Sequence, residues 1–277
     1  MKKLCFLLLA PFLVLWGQRS SVSDMDSYKS VCQRAISDPQ MFQQFKRCPG
    51  YTDILEHVDF HTGKEYLAIA CRQSPELEPY FFKTKINDVI GSPNVFLYDN
   101  YGYFSPTTLR YLKVASDLST FFGSLEGKNI IEIGGGYGGQ CLVISSLFKI
   151  KKYTVVDLKE PLGLSKKYLD CHGISNVEFL TPEEIDKALS DYDIVISNYA
   201  FSEIVSNWQM KYAEKVLKNC TKGYLTCNSD SFLSVGVLSI SQLELLFTSM
   251  GLPFQKLPEK PCTGSGNVIF TWDKNRE

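Results

Sequence analysis

Two carboxylates bracket a run of glycines, and this is where the chain has residues placed for chemistry. In Asn129-Ile-Ile-Glu-Ile-Gly-Gly-Gly-Tyr-Gly-Gly139, Glu132 stands two residues before the first of five glycines in six positions. The next apolar run, Tyr153-Thr-Val-Val-Asp157, closes on a second acid. Ile130 to Ile133 reads as a short buried strand, and Gln140 to Phe148 is an amphipathic segment directly after the glycines. A strand, a tight turn, a helix N-terminus and a second strand ending in an acid place a nucleoside-bearing ligand over the strand ends of an open α/β sheet. Glycine suits the turn because a backbone without Cβ admits a close ligand and a positive φ. Asp157 suits a ribose, whose two hydroxyls can donate to a carboxylate.

The loop alone leaves the ligand open. Gly134, Gly136 and Gly139 fit the G-x-G-x-x-G of dinucleotide sites. Gly134, Gly136 and Gly138 equally fit the G-x-G-x-G associated with S-adenosylmethionine. Glu132 tilts the choice, because an acid there repels a pyrophosphate and attracts an amino group and a sulfonium. The bland alternative is a structural strand-to-helix turn that binds nothing. Against it stands Asp157, an acid at the end of the following strand and at the expected separation.

These residues are positioned by alternating elements. Ser105 is a good N-cap with Pro106 at the first helical position, and Leu109, Leu112, Ala115, Leu118 and Phe122 recur at helical spacing. After Asp157 come a helix from Glu160 to His172 stopped by Gly173, and a strand Val177–Leu180. Thr181-Pro-Glu-Glu184 reads as a capping box opening the next helix. A strand Asp193–Ser197 follows, then a helix Ser206–Leu217 with a Ser206/Gln209 box. The series ends with a strand Tyr224–Cys227, a helix Ser241–Met250 and a strand Asn267–Trp272. This alternation implies an α/β fold with a doubly wound, mostly parallel sheet. The Pro253, Pro258, Pro261 connection before the last strand suits a reversed final strand. Residues 25–123 read as a mainly helical N-terminal extension, and 124–277 as the ligand-binding domain.

Composition narrows the classes. The chain has 277 residues, 44% hydrophobic and 21% charged, ordinary values for a globular protein. A formal net charge of −1 offers no basic field for nucleic acid. The 18 Phe and 15 Tyr are generous for stacking on sugar or adenine faces, although most must serve as core. Of nine cysteines, eight follow Cys5 and none forms a C-x-x-C pair, so a reduced and partly buried set is expected. The three histidines pair with no cysteine at finger spacing, and no metal is expected.

Met1-Lys-Lys3 followed by apolar Leu4–Trp16 has the form of a secretory signal peptide or apolar anchor over residues 1–20. It would direct the chain to a secretory, periplasmic or membrane-anchored location. A start at Met25 would leave the chain cytoplasmic, and both readings stay open. The leader is the sole membrane element expected.

The segment Ser197-Asn-Tyr-Ala-Phe-Ser-Glu203 ends the fourth strand, where polar residues of such a sheet come within reach of chemistry. With Gly102–Leu112, Glu132–Gln140 and Tyr153–Leu158 it resembles the sugar O-methyltransferase family of the class I S-adenosylmethionine-dependent superfamily. The likeness spans about residues 25 to 273. It implies a seven-stranded Rossmann-like methyltransferase sheet, S-adenosylmethionine as cofactor and a sugar or glycan acceptor. By that resemblance Gly134, Gly136 and Gly138 line the methionine portion, with Glu132 near its amino group. Asp157 takes the ribose, Leu158 also belongs to the cofactor site, the Leu180-Thr181 turn borders the adenine, and Asn198 and Tyr199 sit near the methyl group. Glu203 is the first candidate for a general base and His57 the second, with Tyr199 also at the reactive centre. Tyr101, Tyr103 and Arg110 would form a lid over cofactor or acceptor. A nicotinamide-dependent oxidoreductase and a non-catalytic exported glycan-binding relative are the alternatives.

Overall fold

The structure, a computed structural model, describes residues 25–187, 192–229 and 236–275. The apolar leader at 1–20 lies outside the described residues. In chain order the first helices are α1 (Asp26–Ser37), α2 (Pro39–Phe42), α3 (Pro49–Thr52) and α4 (Phe60–Gln73). The carboxylates of Asp38 and Asp59 cap α2 and α4. Strands β1 (Phe96–Tyr98) and β2 (Gly102–Phe104) form an antiparallel hairpin ahead of α5 (Pro106–Phe122). As expected, Ser105 caps α5, its hydroxyl accepting from Thr108 N–H, and Pro106 opens the helix.

The remaining elements are β3 (Asn129–Ile133), α6 (Gly139–Leu147), β4 (Lys152–Val156), α7 (Lys159–Cys171), β5 (Val177–Leu180) and β6 (Ile194–Asn198). Next come α8 (Ala200–Glu203), α9 (Ser206–Tyr212), β7 (Lys222–Cys227), α10 (Ile240–Ser249), β8 (Phe254–Pro258) and β9 (Val268–Asp273). The second sheet has seven strands in the order β5-β4-β3-β6-β7-β9-β8. It is parallel except for β9, which runs antiparallel to both neighbours. The mostly parallel sheet with a reversed final strand is therefore present. From β3 the chain builds outward to β4 and β5, and from β6 outward to β7. The switch point, where ligands of such sheets bind, thus lies between β3 and β6.

Alternation along the strands gives the sheet two covered faces. Ile130, Tyr153, Val155 and Ile196 join one apolar cluster, which also takes in Tyr28, Phe45, Tyr51 and Leu109 from the N-terminal helices. Ile131, Ile133, Val195 and Leu225 face the other way, onto Phe201, Tyr212, Leu243 and Phe247. α5 is further tied to the sheet by a buried polar group. Lys113 Nζ lies 2.6 Å from Asp117 Oδ2, which also accepts from the Tyr224 hydroxyl at 2.6 Å.

Several local expectations differ from what forms. The Pro-rich connection carries the seventh strand, β8, which tolerates Pro258 because it is an edge strand. Gln209 caps nothing. Its amide donates to Phe201 O and accepts from Leu238 N–H, and the helix to Leu217 finishes as a π turn over Ala213–Leu217. The capping box in this region is Ser239/Gln242, opening α10. After Thr181 the chain makes 3-10 turns over Pro182–Lys187, with Glu184 accepting from Thr181 N–H at 3.1 Å. Among the described residues all eight cysteines are free thiols, and no helix is long and apolar enough to cross a membrane.

Candidate functional site

Two cavities meet at the carboxyl ends of the parallel strands. The larger, about 610 Å³, is walled by the glycine turn, the loop after β6, the β8–β9 connection, and residues of the 54–66 segment and α5. The smaller, about 70 Å³, is an apolar slot of Ile133, Val156, Leu158, Pro182, Ile204, Trp208 and Tyr212. Gly134, Asp157 and Ala200 line both. A ligand filling the two spaces would pass directly over Asp157.

The turn after β3 is held tightly. Gly134 has φ +79°, and a Cβ on it would fall 2.0 Å from the Ala200 Cβ, so the turn and the start of α8 touch through this glycine. Gly134, Gly135 and Gly136 line the larger cavity. Gly138 does not. It caps α6 in the left-handed conformation, and a Cβ there would meet Ser165 and Leu169 of α7. Its backbone shapes the turn and seats one helix against the next.

Both acids are where the spacing suggests. The Asp157 carboxylate accepts from Gly136 N–H and Leu158 N–H, each at 2.7 Å, and burial pushes its pKa up to about 6. Glu132 is buried on the same cavity wall and accepts from the Tyr153 hydroxyl at 2.8 Å. Burial raises its pKa to about 8; the Tyr153 hydrogen bond opposes that rise and the nearby Asp157 adds to it.

The loop after β6 supplies the opposite wall. Asn198 lines the larger cavity, its amide 3.4 Å from Gln140 Oε1 and its Oδ1 buried without a partner. Tyr199 takes φ +68°, unusual for a residue with a side chain, and its phenol donates to Glu259. Glu203 lines the cavity and accepts from Asn228 Nδ2 at 2.6 Å. His57 lines it too, with burial and then Arg110 holding its pKa below the usual histidine range.

Sequence reasoning missed Glu259. Its buried carboxylate also accepts from Thr263 N–H, the Thr263 hydroxyl and Asn267 Nδ2, at 3.1, 2.7 and 3.1 Å. It ties the β8–β9 connection to Tyr199. A single acid among prolines carries no spacing signal that reveals this role.

Of the three expected lid residues, only Arg110 reaches the cavity. Tyr103 is 63% exposed, and Tyr101 donates to Glu78 in a separate surface depression beside Phe82 and Phe104. The hairpin that bears them packs against Phe60 of α4, which draws both away from the strand ends. Thr181 lines neither cavity, although Pro182 and Glu183 next to it line the slot. Among the described residues no group of three or more His, Cys, Asp or Glu side chains could hold a metal ion.

No protein-family model matches the chain, and no curated protein matches it. Solved structures do. The chain is similar to the YcgJ protein of Bacillus subtilis, at 18% identity and TM-score 0.43, over 51% of this chain and 69% of that one. It is similar to a SAM-dependent methyltransferase from Aquifex aeolicus, at 18% identity and TM-score 0.43, over 57% of this chain and 88% of that one. A ribosomal protein L11 methylase from Lactobacillus delbrueckii subsp. bulgaricus is similar at 11% identity and TM-score 0.44, over 64% and 81%. Likeness of this partial kind leaves the site to be read from the chain's own residues.

Proposed function

We propose that this chain is an S-adenosylmethionine-dependent methyltransferase acting on a hydroxyl of a sugar or glycan. The observation that carries the reading is a pair of acids, buried Glu132 and half-buried Asp157, that line one cavity beside a glycine turn at the sheet's switch point. Asp157 spends two acceptor positions on backbone N–H groups, and a carboxylate has about four, so hydroxyls of a ribose can take the rest. The apolar slot beside it, with Leu158, Pro182, Trp208 and Tyr212, suits a purine. Glu132 and the unpartnered Oδ1 of Asn198 are acceptors suited to an ammonium group at the other end. Gly134 and Gly136 line the space for that end, and Gly138 fixes the turn. Bound in this way, S-adenosylmethionine supplies a methyl group on a sulfonium, whose displacement depends mainly on alignment.

Asp157→Ala is expected to weaken S-adenosylhomocysteine binding by about 1–3 kcal/mol, the cost of orphaned polar groups. An unchanged dissociation constant would remove Asp157 from the site. Glu132 adds a pH signature. An ammonium group pairs with its ionised form, so affinity should fall up to about tenfold for each pH unit below its pKa of about 8. Flat affinity by calorimetry between about pH 6.5 and 8 would take Glu132 out of contact.

The acceptor side is rich in phenols, hydroxyls and amides, with Tyr66, Tyr199, Thr263, Ser265 and Asn267 on its walls. These suit a polyhydroxylated ring, which offers both apolar faces and hydrogen-bonding edges. Glu203 is the favoured base and His57, its pKa lowered by burial and by Arg110, the second. Transfer of radiolabelled methyl groups to a panel of sugars and glycans tests the reading. Glu203→Gln should slow that transfer by about 10²–10⁴-fold with S-adenosylhomocysteine affinity retained. Undiminished turnover would exclude Glu203 as the base.

A further inference from the structure

We infer that Arg110 forms an oxyanion subsite in the wall of the larger cavity, for a carboxylate or comparable anion. The anion is carried either by the amino-acid end of the cofactor or by the acceptor, and the cofactor arm rests on the function proposed above. Arg110 is 7% exposed and lines the cavity from the N-terminal half of α5. A guanidinium is always charged and carries five N–H donors. Among the described residues one hydrogen bond is made, from Nη2 to the Leu55 carbonyl at 3.3 Å, while Nε is buried with no partner. The remaining contact is the Tyr111 ring, 5.4 Å from the guanidinium carbon.

No carboxylate of the described residues forms an ion pair with Arg110. A buried cation left without a counter-ion is costly, and an anion entering the cavity would relieve that cost. Glu56 acts on Arg110 through space but makes no ion-pair contact with it. Tyr66, Tyr111 and Tyr199 are phenols kept protonated by burial. Glu56 is half-buried and lies outside the cavity lining, with its Oε1 unpartnered among the described residues; burial raises its pKa, and Lys46, Thr107 and Arg110 oppose that rise. His57 is no anion in either protonation state, and burial and Arg110 itself lower its pKa. Among the described residues Arg110 is therefore a fork of donors without an ion-pair contact, lining the space where the cofactor's methionine end and the acceptor would meet. Bidentate recognition of a carboxylate or phosphate is what such a fork does best.

Calorimetric titrations of the wild type, Arg110→Gln and Arg110→Lys test this with four probes. S-adenosylhomocysteine and 5′-methylthioadenosine differ by the amino-acid end; glucuronate and glucose differ by a carboxylate. At least a tenfold loss in Arg110→Gln for one acidic probe, partly restored in Arg110→Lys and absent for its neutral counterpart, is the expected result. Loss confined to S-adenosylhomocysteine assigns the anion to the cofactor, and loss confined to glucuronate assigns it to the acceptor. Equal affinities in wild type and Arg110→Gln overturn the subsite, as does a uniform weakening of charged and neutral probes. Should glucuronate binding need Arg110 while neither nucleoside binds the wild type, the subsite stands and the proposed function falls. A wild type that binds none of the four overturns both.

Discussion

Gly134→Ala is expected to abolish cofactor binding and to destabilise the fold. The added methyl would sit 2.0 Å from the Ala200 Cβ, where carbon atoms cannot coexist, on a backbone at φ +79° that L-residues avoid. Left-handed strain costs about 1–2 kcal/mol, and forcing extra volume into a packed contact about 1–3 kcal/mol more. For a chain of this size the sum lowers the melting temperature by about 4 °C or more. The functional loss is larger, because the relief route runs through α8. Pushing Ala200 outward moves the loop that holds Asn198 and Tyr199 and opens the joint between the two cavities. Differential scanning fluorimetry with and without S-adenosylhomocysteine reads both effects. A variant with unaltered affinity and melting temperature would contradict the role given to this contact.

Asp117→Ala is expected to cost about 3–5 kcal/mol of stability, the penalty for leaving Lys113 buried and charged with its partner removed. The Tyr224 hydroxyl loses its acceptor in the same step, so α5 loosens from β7. The pair itself contributes far less than breaking it takes away. A double replacement, Lys113→Met with Asp117→Leu, should recover most of the loss. Urea unfolding of the single and double variants measures this. A single-variant change below about 1 kcal/mol would show that the cluster is not desolvated as the packing implies.

Much of the site could be read from the chain because it depends on local pattern. The Ile130–Ile133 run, the glycines and the Tyr153–Asp157 run are contiguous, and alternation of strand residues forces Glu132 onto the cavity face. β8 was hidden because it is an edge strand, half exposed, so that neither alternation nor apolarity marks Phe254–Pro258. Glu259 was hidden for another reason. It acts across the fold, on Tyr199 sixty positions away, and no spacing rule joins the two. Tyr101 and Tyr103 show the opposite error. They are close in sequence to Arg110, yet the hairpin turns them away from the face that Arg110 lines. Gly138 belongs to the motif in sequence but serves helix packing in space.

A calorimetric titration of the purified protein with S-adenosylhomocysteine and with NADH decides which nucleoside the two acids select. One-site binding of S-adenosylhomocysteine with no heat from NADH is the predicted result. Binding of NADH instead, or no affinity for either nucleoside in a protein that melts cooperatively, would contradict it.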